Sequence, residues 1–185
     1  MVDPSLVQNV DLTWSHLLRY RNDMEARAHL RDGRHDFDFL FGDWNVRNRR
    51  LSAPLSGAHD WYEFDGTSVA RPLWGGKGNL DEFNAQSPLG HLQGFTLRCY
   101  DVESARWSLY WATPASGLGT LPNVGAFGDD GIGDFFCHEV VGGKQITSRY
   151  RWTKEHRGGC RWEQAFSTDG GTTWETNWTM DFIRR

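Results

Sequence analysis

The sequence has few of the residues that build disulfide frameworks, metal sites or membrane spans. Its three cysteines, Cys99, Cys137 and Cys160, have no C-x-x-C spacing, and their odd number argues against a full set of disulfides. We therefore expect buried, reduced thiols in a cytoplasmic protein. The seven histidines are scattered and form no H-E-x-x-H pattern, so we predict no metal site.

Features of membrane and nucleic-acid-binding proteins are also missing. No apolar run approaches the roughly 20 residues of a membrane-spanning helix. The N-terminus has no basic region before an apolar core, so no signal peptide is predicted. The formal net charge is -4, with acidic and basic residues intermixed. Because there is no basic block, we predict no nucleic-acid partner and no membrane partner.

Common cofactor and catalytic motifs are absent from the chain. Residues 75–79 are glycine-rich but lack the G-x-x-x-x-G-K-[ST] pattern of a phosphate-binding loop. No G-x-S-x-G segment supports a serine nucleophile. We therefore predict no cofactor.

Aromatic residues and glycines are abundant. The chain has ten Trp, eleven Phe and five Tyr, with twenty-one Gly in 185 residues. Aromatic side chains favour pleated, half-buried surfaces, and many glycines suit many tight turns. The length allows one sizeable domain. Together these observations predict a single all-β domain.

The first 35 residues differ from the rest. Trp14, Leu17 and Leu18 form a narrow apolar stripe at helical spacing, and Gly33 is suited to end a helix. We predict an N-terminal helical extension in 1–35 that leans on a domain formed by 36–185. A subunit contact through this helix, and thus a homodimer, stays open.

From residue 37 the apolar period changes to two, as in β-strands. Residues 35–41 form a short apolar lead-in, which we expect to plug the base of the domain. Ten strand-like segments then follow at hairpin spacing, at about 43–51, 60–70, 77–84, 93–100, 106–113, 124–127, 132–140, 145–153, 161–167 and 173–183. This pattern predicts an antiparallel up-and-down barrel of about ten strands.

Alternation along the strands predicts an aromatic inner face that also carries polar groups. On the last strand it places Trp174, Thr176 and Trp178 on one inward side. On the first strand Asn48 and Arg50 share the side of Trp44. The polar inner residues are Asn48, His138, Tyr150, Gln164 and Thr176.

Buried polar groups of this kind cost on the order of 1–3 kcal/mol each unless they find partners. We favour a hydrated pocket that accepts a ligand over a barrel in which these groups satisfy one another. Asn79, Asp81 and Glu82 either approach this pocket or lie on the solvated outer face, which is the commoner outcome for lone carboxylates on a strand.

The segment Phe39-Leu40-Phe41-Gly42-Asp43-Trp44 resembles the calycin superfamily, which includes lipocalins and fatty-acid-binding proteins. This resemblance implies that Trp44 closes the barrel floor. It also implies that an arginine near the chain end, Arg184 or Arg185, packs over the indole in a cation–π contact.

Residues 35–50, 161–167 and 169–178 are similar to an uncharacterised family of bacterial lipocalin-like proteins. The similarity covers most of the chain after residue 35. It implies a lipocalin-like barrel with a ligand cup and supplies no settled reaction. Some calycin barrels hold haem through one histidine, but the glycine-rich strand pattern of those proteins is absent here.

The sequence supports three alternative hypotheses for the function. The first is binding of a small, partly aromatic or apolar molecule inside the barrel. The predicted ligand-binding residues are Asn48, Asn79, Trp111, Trp152, Trp162, Gln164 and Trp178. The second is a cofactor-free enzyme of specialised metabolism, of cyclase, isomerase or lyase type, with His138, Tyr150 and Glu82 as acid–base groups. The third is an interaction module with a packed barrel.

Overall fold

The computed structural model describes residues 32–155 and 158–185. These residues form an all-β fold with eleven strands. The strands are β1 (Gly42–Leu51), β2 (Trp61–Leu73), β3 (Gly78–Ser87), β4 (Gly90–Asp101), β5 (Arg106–Thr113), β6 (Gly117–Leu118), β7 (Asn123–Phe127), β8 (Ile132–Val141), β9 (Lys144–Lys154), β10 (Cys160–Ser167) and β11 (Glu175–Arg184).

Ten of these strands close into an antiparallel up-and-down barrel. Each barrel strand pairs with the next one along the chain, with β5 pairing with β7. The ring closes where β1 pairs with β11, with Trp44 opposite Arg184. The two-residue strand β6 is an addition at the end of β5, where Leu118 pairs with Ala112.

All ten predicted strand segments are strands of the barrel. The segment 106–113 coincides with β5, and most others differ from the structure by one to three residues at an end. Strand β6 was not predicted, because two residues are too few to show an alternating pattern. Within the described ranges, no helix is long and apolar enough to cross a membrane. The predicted N-terminal helix lies outside the described residues, and the division into 1–35 and 36–185 stays a prediction.

The floor of the barrel is closed by the apolar lead-in before β1. A short 3-10 helix over Asp38–Leu40 follows Phe37, and both Phe37 and Leu40 are fully buried. The Phe37 ring meets Trp107 edge to face, with ring centroids 5.0 Å apart. The Trp44 indole nitrogen donates to the Leu40 carbonyl at 2.7 Å. The lead-in therefore plugs the base, as its apolar sequence predicts.

Gly42 is required by this floor. Its φ of +115° lies where residues with a Cβ are strained. A Cβ on this residue would also come within 2.7 Å of the Arg184 guanidinium. The glycine two positions before Trp44 thus makes room for the arginine that covers the floor.

A β-bulge corrects part of the predicted inner face of β11. Gln164 pairs with Trp178, but its neighbour Ala165 pairs with Thr176, so Asn177 is an extra residue on β11. An extra residue reverses the alternation beyond it. Thr176 therefore shares the outer face of Ala165, and its predicted inward position is wrong. Trp174 is likewise outside, where its ring lies 6.0 Å from the exposed Phe136.

Candidate ligand-binding site

The barrel encloses a cavity of about 240 Å³ above its packed floor. Its walls are mainly aromatic, with a few polar and charged side chains. The lining consists of Arg50, Asp81, Phe83, Thr96, Arg98, Leu109, Trp111, Tyr150, Trp152, Trp162, Gln164, Trp178, Met180 and Phe182.

One wall of the cavity is a row of residues that face one another across four neighbouring strands. Arg50 of β1 pairs with Trp178 of β11. Trp178 pairs with Gln164 of β10, and Gln164 pairs with Tyr150 of β9. Directly opposed residues of antiparallel strands point to the same side of the sheet. The row therefore runs around the inside of the barrel with one cationic end and one phenolic end.

Two polar groups of this row, on Gln164 and Tyr150, make no hydrogen bond to any described residue and can bind another molecule. The Gln164 amide nitrogen donates to Asn177 Oδ1 at 2.8 Å, which leaves the Gln164 carbonyl oxygen as an acceptor for another molecule. The Tyr150 hydroxyl bonds to no described residue. Burial raises the pKa of Tyr150 well above its ordinary value, so this phenol is neutral at physiological pH and can donate a hydrogen bond.

The aromatic rings of this wall hold one another at fixed angles. Trp162 meets Trp178 edge to face, with centroids 5.4 Å apart and ring planes at 87°. Trp162 also packs against the Tyr150 ring at 5.0 Å. The Trp178 indole nitrogen donates to Asn48 Oδ1 at 3.1 Å. Because these rings are wedged together, the wall presents a preformed aromatic surface.

The facing wall contains a buried ion pair. Arg98 and Asp81 approach to 2.5 Å, and both side chains are almost completely buried. Asn79 Oδ1 accepts a second bond from the Arg98 guanidinium at 3.0 Å, and Ser68 donates to Asp81 at 3.3 Å. These contacts neutralise the charge of Arg98 and hold its side chain in the facing wall.

Trp111 completes the facing wall, and Gly94 makes this possible. A Cβ on Gly94 would come within 2.4 Å of the Trp111 ring. The glycine therefore lets the Trp111 indole lie against the β4 backbone.

Six of the predicted site residues line the cavity. They are Trp111, Tyr150, Trp152, Trp162, Gln164 and Trp178. The predicted residues Asn48 and Asn79 are buried but lie outside this lining. Asn48 holds the Trp178 indole and Asn79 holds Arg98, so their contacts support the walls.

His138 and Glu82 lie on the outer surface. This corrects the inward position predicted for His138, whereas for Glu82 it is the commoner of the two outcomes left open. On β8 the inward residues are Phe135 and Cys137, both buried, while His138 is exposed and contacts Thr147 at 3.1 Å. The exposed Glu82 accepts a bond from Arg71 at 2.8 Å. Neither side chain lines the cavity.

Sequence reasoning did not name the charged and polar residues of the facing wall, Asp81 apart. Thr96 and Arg98 face inward on β4, whereas their apolar neighbours Phe95 and Leu97 lie half-buried on the other side. An apolar-inside rule therefore predicts the wrong face for this strand. The inward position of Arg50 could be predicted, because Arg50 follows the same alternation as Trp44 and Asn48 on β1.

Within the described ranges there is neither a cluster of metal ligands nor a disulfide. No group of three or more His, Cys, Asp or Glu residues is close enough there to hold a metal ion. All three cysteines are free. Burial raises the pKa of Cys160 to about 12 and also raises the pKa of Cys99 and of Cys137. These shifts favour the protonated form of all three thiols near neutral pH.

Comparisons with known proteins bear on the fold. No family model matches the chain, and no curated protein matches it. A solved structure, the S-type phycobiliprotein lyase from Guillardia theta, superposes with a TM-score of 0.56 and is 12% identical in sequence. The match covers 87% of this chain and 96% of the lyase chain. At this identity the likeness concerns the fold alone, which is a closed antiparallel β-barrel of ten strands.

Proposed function

We propose that this protein binds a planar, largely apolar small molecule inside its barrel. The observation that supports this is the unfilled cavity of about 240 Å³ behind the indole walls. An apolar protein cavity of about 150 Å³ is large enough to hold benzene. The cavity here thus has room for a molecule larger than a single ring.

The shape and chemistry of the walls favour a flat ligand. Trp111 of β5 lines the cavity from one side, and Trp162 and Trp178 of β10 and β11 line it from another. Aromatic surfaces gain dispersion and stacking energy from a planar molecule. Tyr150 and Gln164 supply one donor and one acceptor that would fix its orientation. This combination supports a rigid aromatic molecule better than a flexible sugar or peptide.

Catalysis on the bound molecule is the second candidate, and Tyr150 is the observation that favours it. Its neutral phenol borders the cavity and would donate a hydrogen bond to a substrate oxygen that gains negative charge during a reaction. The lyase fold of the structural neighbour also supports this candidate. Loss of turnover in Tyr150→Phe with unchanged binding would separate the enzyme from the binder.

N-Phenyl-1-naphthylamine, an uncharged fluorescent probe, tests binding directly. Its emission should rise on addition of protein and saturate at one molecule per chain. Thr96→Phe places a ring in the cavity and should weaken binding at least tenfold. Leu97→Phe is the matched control, because Leu97 is the next residue of β4 and lies outside the cavity lining.

The third function, a packed interaction module, predicts a different result. A barrel whose interior is filled would show no saturable probe binding in either variant or in the wild type. Equal probe binding by Thr96→Phe and Leu97→Phe, with both variants folded, would place the probe elsewhere and reject the interior site.

A further inference from the structure

We infer that the ligand carries an acidic group and that Arg50 binds it at the open end of the cavity. This inference rests on the proposed binding function and adds the charge class of the ligand. Arg50 is the last inward residue of β1, at the end of the strand opposite the Trp44 floor. It is half-buried and lines the cavity.

Arg50 has no carboxylate partner among residues 32–155 and 158–185. Its guanidinium stacks on the Trp178 ring, 4.4 Å from the ring centroid. Stacking orients the plane of the guanidinium but leaves its N–H groups able to bond to another molecule. A half-buried arginine with five donors and no hydrogen-bond acceptor among the described residues is suited to a carboxylate, sulfonate or phosphate.

The cavity lining has an excess of positive charge. It contains two cations, Arg50 and Arg98, and one anion, Asp81, which gives a formal charge of +1. Asp81 is committed to Arg98 by the buried ion pair, so the remaining positive charge lies at Arg50. Because the whole chain has a net charge of -4, this local excess runs against the general character of the molecule.

The row of paired strands separates this charge from the phenol. Tyr150 lies three strands away from Arg50, and neighbouring strands are about 4.8 Å apart, so their backbones are about 14 Å apart along the curved wall. Trp178 and Gln164 stand between them in the row. We therefore assign the acidic group to Arg50 and a second polar atom of the ligand to Tyr150.

The deeper cavity is suited to the uncharged part of the same molecule. Leu109, Trp152 and Phe182 line it and are almost completely buried. A ligand with its acidic group at the open end and its apolar rings toward the floor would bury little charge. The ligand class is thus a planar aromatic or polycyclic acid.

Two probes with one framework test this inference. The anionic 1-anilinonaphthalene-8-sulfonate differs from uncharged N-phenyl-1-naphthylamine by its sulfonate group. We expect wild-type protein to bind the sulfonate more tightly. Arg50→Gln should weaken sulfonate binding about tenfold, a difference of about 1.4 kcal/mol, and change binding of the uncharged probe by less than twofold.

Arg49→Gln is the matched control. Arg49 is the adjacent residue, is exposed, and stacks on Trp61 at 4.7 Å, so this variant makes the same change in net charge outside the cavity. It should leave both affinities within twofold of wild type. Arg50→Lys should retain part of the sulfonate preference, and higher salt should weaken only sulfonate binding in the wild-type protein.

The outcomes separate the two proposals. If the uncharged probe binds but sulfonate affinity is the same in wild type, Arg50→Gln and Arg49→Gln, the anion site is rejected and the binding function stands. If neither probe binds the wild-type protein, the binding function fails as well. An equal loss of both probes in Arg50→Gln would show that Arg50 shapes the cavity without recognising charge.

Discussion

Arg184 lies over Trp44 at the floor of the barrel, with its guanidinium carbon 4.1 Å from the indole centroid. The same guanidinium donates to the carbonyls of Phe39, at 2.9 Å, and of Phe41. One side chain of the last strand thus holds both the first strand and the segment that leads into it. Because β1 and β11 are the strands that close the ring, this contact joins the two ends of the described barrel.

Removing Arg184 should destabilise the protein. Arg184→Gln loses the cation–π contact and two charge-assisted hydrogen bonds, so we expect a loss of about 2 kcal/mol in the free energy of unfolding. Urea denaturation followed by tryptophan fluorescence measures it. Arg185→Gln is the control, because the Arg185 side chain bonds to Asn45 at the surface, and it should change stability by less than about 0.5 kcal/mol. Equal effects of the two variants would contradict this role of Arg184.

The buried pair of Arg98 and Asp81 should behave as a coupled unit. Arg98→Met or Asp81→Asn leaves one uncompensated charge in the interior, because both side chains are almost fully buried. Each single variant should lose about 3–5 kcal/mol. The double variant should lose clearly less than the sum of the two, since no lone charge remains. Additive losses in chemical denaturation would refute the coupling.

Asp169 should titrate well below an ordinary aspartate. Hydrogen bonds from Thr173 and Ser167 stabilise its carboxylate and lower its pKa from 3.8 to about 2. A depressed folded-state pKa means that this carboxylate stabilises the turn above pH 4. That contribution is lost as the pH falls from about 4 toward 2. NMR titration of the Asp169 carboxyl carbon measures the shift, and Thr173→Val should raise this pKa. A pKa near 3.8 in both proteins would disprove the assignment.

Native thiol reactivity should be low and should rise on unfolding. Burial raises the pKa of Cys160 to about 12, so almost no thiolate forms near pH 8. We expect Cys160 and Cys137, both buried, to react with a disulfide reagent much more slowly than the partly exposed Cys99. In denaturant all three should react at one fast rate. Fast modification of Cys160 in the folded protein would contradict its buried position.

The predicted and observed sites differ most where a local pattern reverses. Alternation placed Trp162, Gln164 and Tyr150 correctly, because β9 and β10 pair in regular register along this stretch. It misplaced Thr176, because the bulge beside Trp178 changes which side each residue faces. His138 was misplaced for another reason. Phe135 and Cys137 are the inward residues of β8, and a strand with apolar residues on both faces gives no decisive pattern.

What the sequence by itself determined was the set of ten strands, their antiparallel order and the closure of the floor by Trp44 with an arginine near the chain end, which the structure identifies as Arg184. These follow from local alternation, turn residues and a short motif, which are readable without knowing neighbours in space. Only the tertiary structure decided that Arg98 and Asp81 are neutralised together while Arg50 is left without a carboxylate partner in the described ranges. Asp81 and Arg98 lie on the neighbouring strands β3 and β4, where Asn79 is opposite Arg98 and Asp81 is opposite Thr96. Pairing of their charges depends on this register and on the direction of both side chains, which alternation along a single strand does not contain.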